Sequence, residues 1–360
     1  MHVDPICKME VDPAEAITIE HEGEIVYFCS EGCRDVFING HSKQPKRSFE
    51  MIIIGGGPAG LTAAVYAATL KIDAFVITHD LGGQAIDSTK IKNYMGFDFI
   101  TGPELTQKFK EQLIHSNYIA HLVGEVEKIA TNETGFTVRM ADGETYFAKA
   151  VLVATGMKRR QLGVPGEEEF QRKGVFYGNI QDVTQMEGKD AVVIGGGNSA
   201  MQISENLSTV AQTVHIVTDL PLKVTADAKD IDRLLNRRNV CVHEECRVAE
   251  IAGDETVNQI RIKQLGTDES TTLPASGAFI AIGLQPNSSL ATGLVELNNR
   301  GEVKIGADCS TSTPGLFAAG DVTDAYGKRI IIAAGEGAKA ALAVRQYLLN
   351  RKREEKAVQT

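Results

Sequence analysis

An α/β fold built around two dinucleotide-binding units is what this 360-residue sequence predicts, and three stretches predict it. The first is Met51-Ile-Ile-Ile-Gly-Gly-Gly-Pro-Ala-Gly60, where a short apolar run of strand type stops at three glycines. Pro58 then opens helical sequence that continues to Leu70. The second, Ala191-Val-Val-Ile-Gly-Gly-Gly-Asn-Ser-Ala200, repeats the pattern far enough along the chain to open a fold of its own. The third, Leu316-Phe-Ala-Ala-Gly-Asp-Val322, is a short apolar strand that ends in a glycine and an acid. The spacing Gly55-x-Gly57-x-x-Gly60 suits a turn that cradles phosphate. Gly55 permits the tight turn, Gly57 lets backbone approach a pyrophosphate, and Gly60 lets helix and strand pack closely. The helix N-terminus adds unpaired N–H groups and a partial positive charge. One such turn is weak evidence; two, with the third stretch, predict two Rossmann-like domains, one for FAD and one for a nicotinamide.

Composition narrows the function classes. A formal charge of −10 argues against nucleic acid or an anionic membrane as the main partner. No apolar stretch is long enough to span a bilayer, and the first residues lack the basic-then-apolar order of a signal peptide. Six cysteines without a disulfide-framework spacing fit a reducing compartment, so a cytoplasmic location is expected. The basic run Arg351-Lys-Arg353 reads as the solvated end of a helix that stops near Asn350.

Residues 1–46 differ in kind from the rest. Three of the six cysteines, Cys7, Cys29 and Cys33, fall here, and Cys29 and Cys33 have the spacing of one helical face. So short a segment cannot bury a sufficient core unaided, and a metal is the usual staple. Thiolates select zinc or a soft metal such as copper(I). The segment resembles the YHS family of small metal-binding modules through Asp4-Pro5-x-Cys7-x-Met9, His21, Tyr27-Phe-Cys-Ser30 and Cys33. The resemblance implies Cys7, Cys29 and Cys33 as ligands, with Met9, His21, His2 and His41 as candidates for a fourth. Ser42–Ser48, with Pro45 and basic neighbours, reads as a linker.

The first dinucleotide fold begins at Phe49. Asp73–Thr78 is its second strand, and Asp80 stands where a ribose-binding acid belongs, although aspartates are common in turns. Asp142-Gly143, between Phe136–Met140 and Thr145–Ala148, is the strongest hairpin signal in the chain. Ala150–Gly156 returns as a buried strand ending in small residues.

From Phe49 to Leu349 the chain resembles the thioredoxin reductase branch of the pyridine nucleotide–disulfide oxidoreductases. The motifs that carry the resemblance are Gly55–Gly60, Gly82-Gly-Gln84, Asn93, Ala154-Thr-Gly156, Leu162-Gly-Val-Pro165, Gly195–Ala200, Ala281-Ile-Gly283, Pro286-Asn287 and Gly320-Asp321. It implies an FAD domain in two pieces, 49–158 and 286–349, with a nicotinamide domain, 159–285, inserted between them. A tail, 350–360, follows. It also implies a homodimer. Carried over as cofactor contacts are Gly55, Gly57, Pro58, Ala59 and Gly60, then Gly83, Gln84, Asn93 and Val126, and then Ala154, Thr155 and Gly156. The inserted fold adds Gly195, Gly197, Asn198, Ser199, Asp219 and Gly283. Asp321 is expected at the flavin ribityl chain, with Arg329, Ile330 and Ile331 approaching the ring.

Two departures from that family shape the functional expectation. Its thiol-active members carry Cys-x-x-Cys-Asp in the inserted domain; aligning Gly174-Val175 and Asp182 puts Gly178 and Gln181 where the cysteines belong. Without a dithiol there, nothing takes two electrons from the flavin to a thioredoxin by the usual route. Asp182 remains, as a catalytic proton donor or as a turn cap. The other cysteines, Cys241, Cys246 and Cys309, form no Cys-x-x-Cys, and Cys241 reads as buried in the apolar strand Val240–Val242. The second departure is Thr218-Asp-Leu-Pro-Leu-Lys-Val224, in place of the arginine-rich run of NADPH enzymes. Asp219 has the spacing of an acid that accepts hydrogen bonds from ribose hydroxyls and repels a 2′-phosphate, so NADH is expected over NADPH, Lys223 being the one cation against it.

The main expectation is an FAD-dependent NAD(P)H oxidoreductase whose electrons leave without a resident disulfide, to an iron–sulfur protein, a flavodoxin, a small molecule or a metal. One alternative sends them to a metal or to the thiols of Cys29 and Cys33. Another is a metal-responsive protein in which FAD is structural.

Overall fold

The computed structural model describes residues 2–5, 10–14, 16–21, 23–29, 33–34, 37–38, 46–88, 90–115, 119–177 and 180–359. The chain forms two compact units, Met1–Met157 with Pro286–Thr360, and Lys158–Gln285.

In the first unit, β1 (Ile17–His21) and β2 (Glu24–Phe28) form an antiparallel hairpin closed by Gly23 at φ +84°. The main sheet follows. Its first strand, β3 (Ser48–Ile54), leads into helix α1 (Pro58–Thr69) and β4 (Ala74–Thr78). Helix α2 (Gly102–His115) then precedes β5 (Ala120–Val123), β6 (Val126–Asn132), β7 (Gly135–Met140) and β8 (Thr145–Val153). The loop between β7 and β8 places Gly143 at φ +92°, and Asp142 Oδ1 accepts the Glu144 N–H at 2.9 Å, so the hairpin read from Asp142-Gly143 forms.

The second unit carries β9 (Val175–Phe176), β10 (Asp190–Ile194), helix α3 (Asn198–Leu207), β11 (Thr213–Val217) and β12 (Val240–His243). After these come β13 (Cys246–Gly253), β14 (Val257–Gln264), β15 (Ser270–Pro274) and β16 (Gly277–Ile280). Its parallel sheet has the order β9-β16-β10-β11-β12, and β13-β14-β15 form an antiparallel sheet. The chain then completes the first unit with β17 (Leu316–Ala318) and helix α4 (Ile330–Gln359). The first unit's sheet has the order β5-β4-β3-β8-β7-β6, with β17 parallel to the second half of β8.

The central strands are buried on both faces, which is why they read as continuous apolar runs. Met51 and Ile53 of β3 face α1 and α4, among Ala63, Ala67, Ala340 and Val344. Ile52 and Ile54 face the other way, onto Phe75, Phe136, Val138 and Val303. In β10 the same alternation sends Ala191 and Val193 to α3, and Val192 and Ile194 to the antiparallel sheet. Small residues bring α1 and α4 into close approach: a Cβ on Gly337 would lie 2.0 Å from the Ala59 carbonyl oxygen.

Two expectations need correction. The last helix does not stop near Asn350 but runs to Gln359, so residues 350–359 are helix rather than tail. Arg351 Nε pairs with Glu355 one turn on at 3.1 Å, and Lys352 reaches Glu50 of β3 at 2.7 Å. Cys241 is exposed, not buried, because β12 is the edge strand of its sheet. Cys246 and Cys309 are buried.

On β11 and β12, His215 Nδ1 lies 3.1 Å from His243 Nε2. Burial lowers the pKa of both; Asp190 pulls His215 back up, and His215 lowers His243 further. A depressed histidine is neutral in the fold and takes up its proton on unfolding, so its stabilisation is complete above the unfolded value, about 6.5. It is lost as pH falls below that value. Denaturation midpoints of the wild type should drop between pH 7 and pH 5 by more than those of a His215→Asn, His243→Asn double variant. Equal drops would show that the pair is not the cause.

Candidate functional site

Both glycine turns fold as strand, turn and helix, for reasons visible atom by atom. Gly55 sits at φ +117°, and a Cβ there would lie 2.3 Å from the Ala154 carbonyl oxygen. A Cβ on Gly60 would lie 1.9 Å from the Gly55 carbonyl oxygen, so the first turn of α1 packs on the strand only because both are glycine. Gly57 differs. It is the extended N-cap of α1, and a Cβ there would meet nothing within 4 Å. Pro58 occupies the first helical position and no side chain caps the helix. An uncapped N-terminus opening onto free space beside a glycine is a fit for an anionic ligand from outside the chain.

Distant segments converge on this turn. A Cβ on Gly83 would lie 3.0 Å from Gly57 Cα, and one on Gly320 would lie 2.9 Å from the Ala59 Cβ. Thr155 Oγ1 donates to the Asn287 carbonyl at 2.7 Å and Asn287 Nδ2 donates to the Thr155 carbonyl at 2.9 Å. The Asn287 N–H donates to Gly156 O at 2.9 Å, so the Ala154–Gly156 turn is locked from both sides. Asp321 follows Gly320 and is half-buried; burial raises its carboxyl pKa against the pull of Lys328 and Arg329.

Other expected contacts are placed as follows. Gln84 Nε2 donates to the Met157 carbonyl. Asn93 is exposed in the loop between the bridged Ile91 and Ile100. Val126 is buried in the core at the start of β6. Arg329 and Ile331 are exposed at the start of α4, while Ile330 packs against the Ile91, Ile100 and Leu105 cluster. Asp80 caps its own turn, with Oδ1 accepting the Gly83 N–H at 2.8 Å.

The second unit repeats the device. A Cβ on Gly195, at φ +124°, would lie 2.4 Å from the Ala281 carbonyl oxygen. Gly197 is the extended, uncapped N-cap of α3, and a Cβ there would come no nearer to a neighbour than 3.8 Å, from the Thr225 carbonyl oxygen. Asn198 exchanges hydrogen bonds with Asp227, at 3.3 and 3.2 Å. Ser199 is exposed, and Gly283 sits at φ +91° with nothing near its missing side chain. Asp219 follows β11 and Thr218. Its carboxylate lies 3.6 Å from Arg247 of β13, both side chains being exposed. Asp182 is half-buried in the 3₁₀ turn Ile180–Met186; burial raises its carboxyl pKa while Arg159 lowers it, and Gln185 donates to it at 3.3 Å. Of the positions aligned with a dithiol, Gly178 lies outside the described residues and Gln181 is in this turn.

Sequence reasoning passes over Arg247 and Glu336. Glu336, buried on α4, accepts the Gly320 N–H at 2.7 Å and faces Thr323 Oγ1 at 3.4 Å, holding the turn that presents Asp321. The available signal is a lone acid between Gly335 and Gly337 in an alanine-rich helix. Removing it in Glu336→Ala leaves a buried N–H unpaired, which costs about 1–3 kcal/mol. Flavin content and melting temperature should both fall, and Glu336→Gln, which keeps an acceptor, should recover most of each. Identical behaviour of the two variants would show that the hydrogen bond is not what matters.

In the N-terminal module, the described residues close enough to share an ion are Cys29 and Cys33, with His121 of β5. Cys7, Met9 and His41 lie outside the described residues. His2 stacks on Tyr27, with ring centroids 3.8 Å apart, and His21 packs edge-on against Phe37.

Comparison with known proteins shows the family. The profile of the family described as "Pyridine nucleotide-disulphide oxidoreductase" matches residues 49–344. The chain is 36% identical over 304 residues to "NADH dehydrogenase" of Bacillus subtilis (strain 168), covering 84% of this chain and 59% of that one. It is 38% identical over 307 residues to a subunit of alkyl hydroperoxide reductase of Pseudomonas putida, covering 84% and 59%. The chain thus spans about three-fifths of the length of these curated relatives. Among solved structures it is similar to thioredoxin reductase of Lactococcus lactis, with a TM-score of 0.70, 30% identity, and coverage of 84% and 99%. Among the described residues no helix is long and apolar enough to cross a membrane.

Proposed function

Because the chain belongs to the pyridine nucleotide-disulphide oxidoreductase family, we propose that it is an FAD-dependent NAD(P)H oxidoreductase that prefers NADH and passes electrons to its acceptor without a Cys-x-x-Cys disulfide. The observation that carries the reading is the duplicated glycine turn, each copy an uncapped helix N-terminus beside a glycine whose missing Cβ would meet no clash. FAD, when bound, supplies two-electron exchange with the nicotinamide and onward transfer to the acceptor.

In this reading the chain's own residues bind, orient and handle protons. The first turn, Gly55–Gly60, holds the FAD pyrophosphate, and Asp321, set by Gly320 and Glu336, orients the ribityl chain. The second turn, Gly195–Ala200, holds the nicotinamide cofactor, and Asp219 takes the ribose hydroxyls of NADH. Asp182, its carboxyl pKa raised by burial and lowered by Arg159, relays a proton during turnover. The sequence contains no Cys-x-x-Cys, so a dithiol relay of that kind is absent from the proposal. The acceptor is an iron–sulfur protein, a flavodoxin, a small molecule or a metal. The N-terminal module takes a soft metal through its cysteines, and the enzyme works as a homodimer.

Anaerobic titration with NADH and, separately, NADPH tests the reading through the flavin absorbance. Rapid bleaching by NADH is expected. No bleaching by either would replace the reductase with the metal-responsive reading. A second reading is favoured by the 3.6 Å separation of the Cys29 and Cys33 sulfurs: once the acceptor has oxidised the pair to a disulfide, that disulfide takes two electrons from the reduced flavin and two protons, and returns to two thiols. Replacing both by serine would then stop turnover with the physiological acceptor and leave flavin reduction intact.

A further inference from the structure

We propose that a zinc-class divalent ion is held jointly by Cys29 and Cys33 of the N-terminal module and His121 of the main sheet, pinning the module to the sheet's edge. The inference deepens the metal-module reading and does not depend on the redox one.

The geometry is that of an ion's coordination sphere. Cys29 Sγ and Cys33 Sγ are 3.6 Å apart, and His121 Nε2 lies 3.3 Å from Cys33 Sγ and 4.0 Å from Cys29 Sγ. In a tetrahedral site with Zn–S about 2.3 Å and Zn–N about 2.05 Å, the sulfur–sulfur edge is about 3.8 Å and the sulfur–nitrogen edge about 3.6 Å. Each separation in the structure is within about 0.4 Å of its ideal edge. Cys33 and His121 are both buried, and Asp4, also buried, accepts the Cys29 N–H at 2.8 Å and fixes that residue's backbone.

Strand β5 explains why His121 is available. It is the edge of its sheet, and its side chains alternate. Ala120 and Leu122 pack into the core of the main sheet, whereas Val123 packs with Phe28, Cys33 and Phe37 of the module. His121, two residues before Val123, shares that face, so β5 supplies one apolar and one ligating side chain to the module.

Charge favours a divalent ion. Two thiolates and a neutral imidazole around Zn²⁺ sum to zero, which a buried site tolerates; copper(I) in the same site leaves a net negative charge. A tetrahedral ion held by these three leaves its fourth position for a water. Binding releases the two thiol protons, so affinity falls at low pH.

The test uses the full-length chain with flavin bound. Zinc affinity is measured by chelator competition in wild type, Cys29→Ser with Cys33→Ser, and His121→Asn, and flavin content reports that each has folded. One zinc per chain is expected in wild type. The affinity of His121→Asn is expected to fall at least about tenfold, the lower bound for losing even a supporting residue of a metal site. Chelation of the wild type should also raise proteolytic cutting between the module and β3. Zinc held by His121→Asn as tightly as by wild type, but lost from the double-serine variant, would confine the ion to the module and overturn the proposal. Wild type without stoichiometric zinc would overturn it as well. If His121→Asn fails to fold, X-ray absorption at the zinc edge of wild type decides: imidazole scattering with sulfur is expected, and an all-sulfur shell would refute the bridge.

Discussion

Alanine at Gly57 is expected to strip the protein of flavin without unfolding it, whereas alanine at Gly60 is expected to unfold it. The two positions belong to one motif, yet the space around them differs. At Gly57 an added Cβ meets nothing within 4 Å, and the backbone is already extended, a conformation any residue adopts. The methyl therefore costs the apoprotein nothing, but in the proposed reading it stands where backbone must approach the pyrophosphate. A loss of affinity of about 100-fold, equivalent to about 2.7 kcal/mol, is expected. At Gly60 the Cβ would lie 1.9 Å from the Gly55 carbonyl oxygen. Both partners are backbone, so no rotamer relieves the clash and the helix must move off the strand. Overpacking a core usually costs about 1–3 kcal/mol, and a backbone clash exceeds that range. Melting of the apoproteins and the flavin-to-protein absorbance ratio separate the two effects. A Gly57→Ala protein with a full complement of flavin would remove this turn as the pyrophosphate site. A Gly60→Ala apoprotein as stable as wild type would contradict the packing.

That contrast shows what the sequence makes legible. The two strand–turn–helix units could be read because their signals are local: an apolar run, glycines at fixed spacing, and a proline or small residue opening a helix. The Asp142-Gly143 hairpin is of the same kind. What escaped depends on residues brought together from far apart. His121 stands 88 positions beyond Cys33, in a strand with nothing in its spacing to mark a ligand, and only the pairing of β5 at the sheet edge puts it there. Arg247 reaches Asp219 from another sheet, and Glu336 reaches Gly320 across a helix. Past Asn350 the helix carries the Arg351–Glu355 and Lys352–Glu50 pairs, which a basic run read by itself does not reveal. Cys241 is exposed although its strand is apolar, because such a strand at a sheet edge has the same sequence as one at the centre.

Replacing Asp219 by alanine is expected to turn the cofactor preference around, and Arg247 is the reason the effect should be large. In the proposed reading the wild-type carboxylate accepts hydrogen bonds from the ribose hydroxyls of NADH and repels the 2′-phosphate of NADPH. Arg247, at 3.6 Å, offsets part of that negative charge; because both side chains are exposed, the pair itself adds little to stability. NADH should therefore be preferred, though less strongly than an isolated acid would dictate. In Asp219→Ala the hydrogen bonds to NADH go, and kcat/KM for NADH should fall about tenfold, a change of about 1.4 kcal/mol. The same substitution frees a guanidinium whose planar fork matches a phosphate, so kcat/KM for NADPH should rise by a comparable factor. The ratio would then move by about 100-fold. Arg247→Ala should sharpen the preference for NADH in the wild-type background and cancel the gain for NADPH in the Asp219→Ala background. A gain due to Arg247 must also weaken as ionic strength rises, since it joins exposed charges. If the ratio is unchanged in Asp219→Ala, the ribose is not read at this position. If it shifts but Arg247→Ala has no influence in either background, repulsion by the carboxylate alone sets the preference, and the arginine is a bystander.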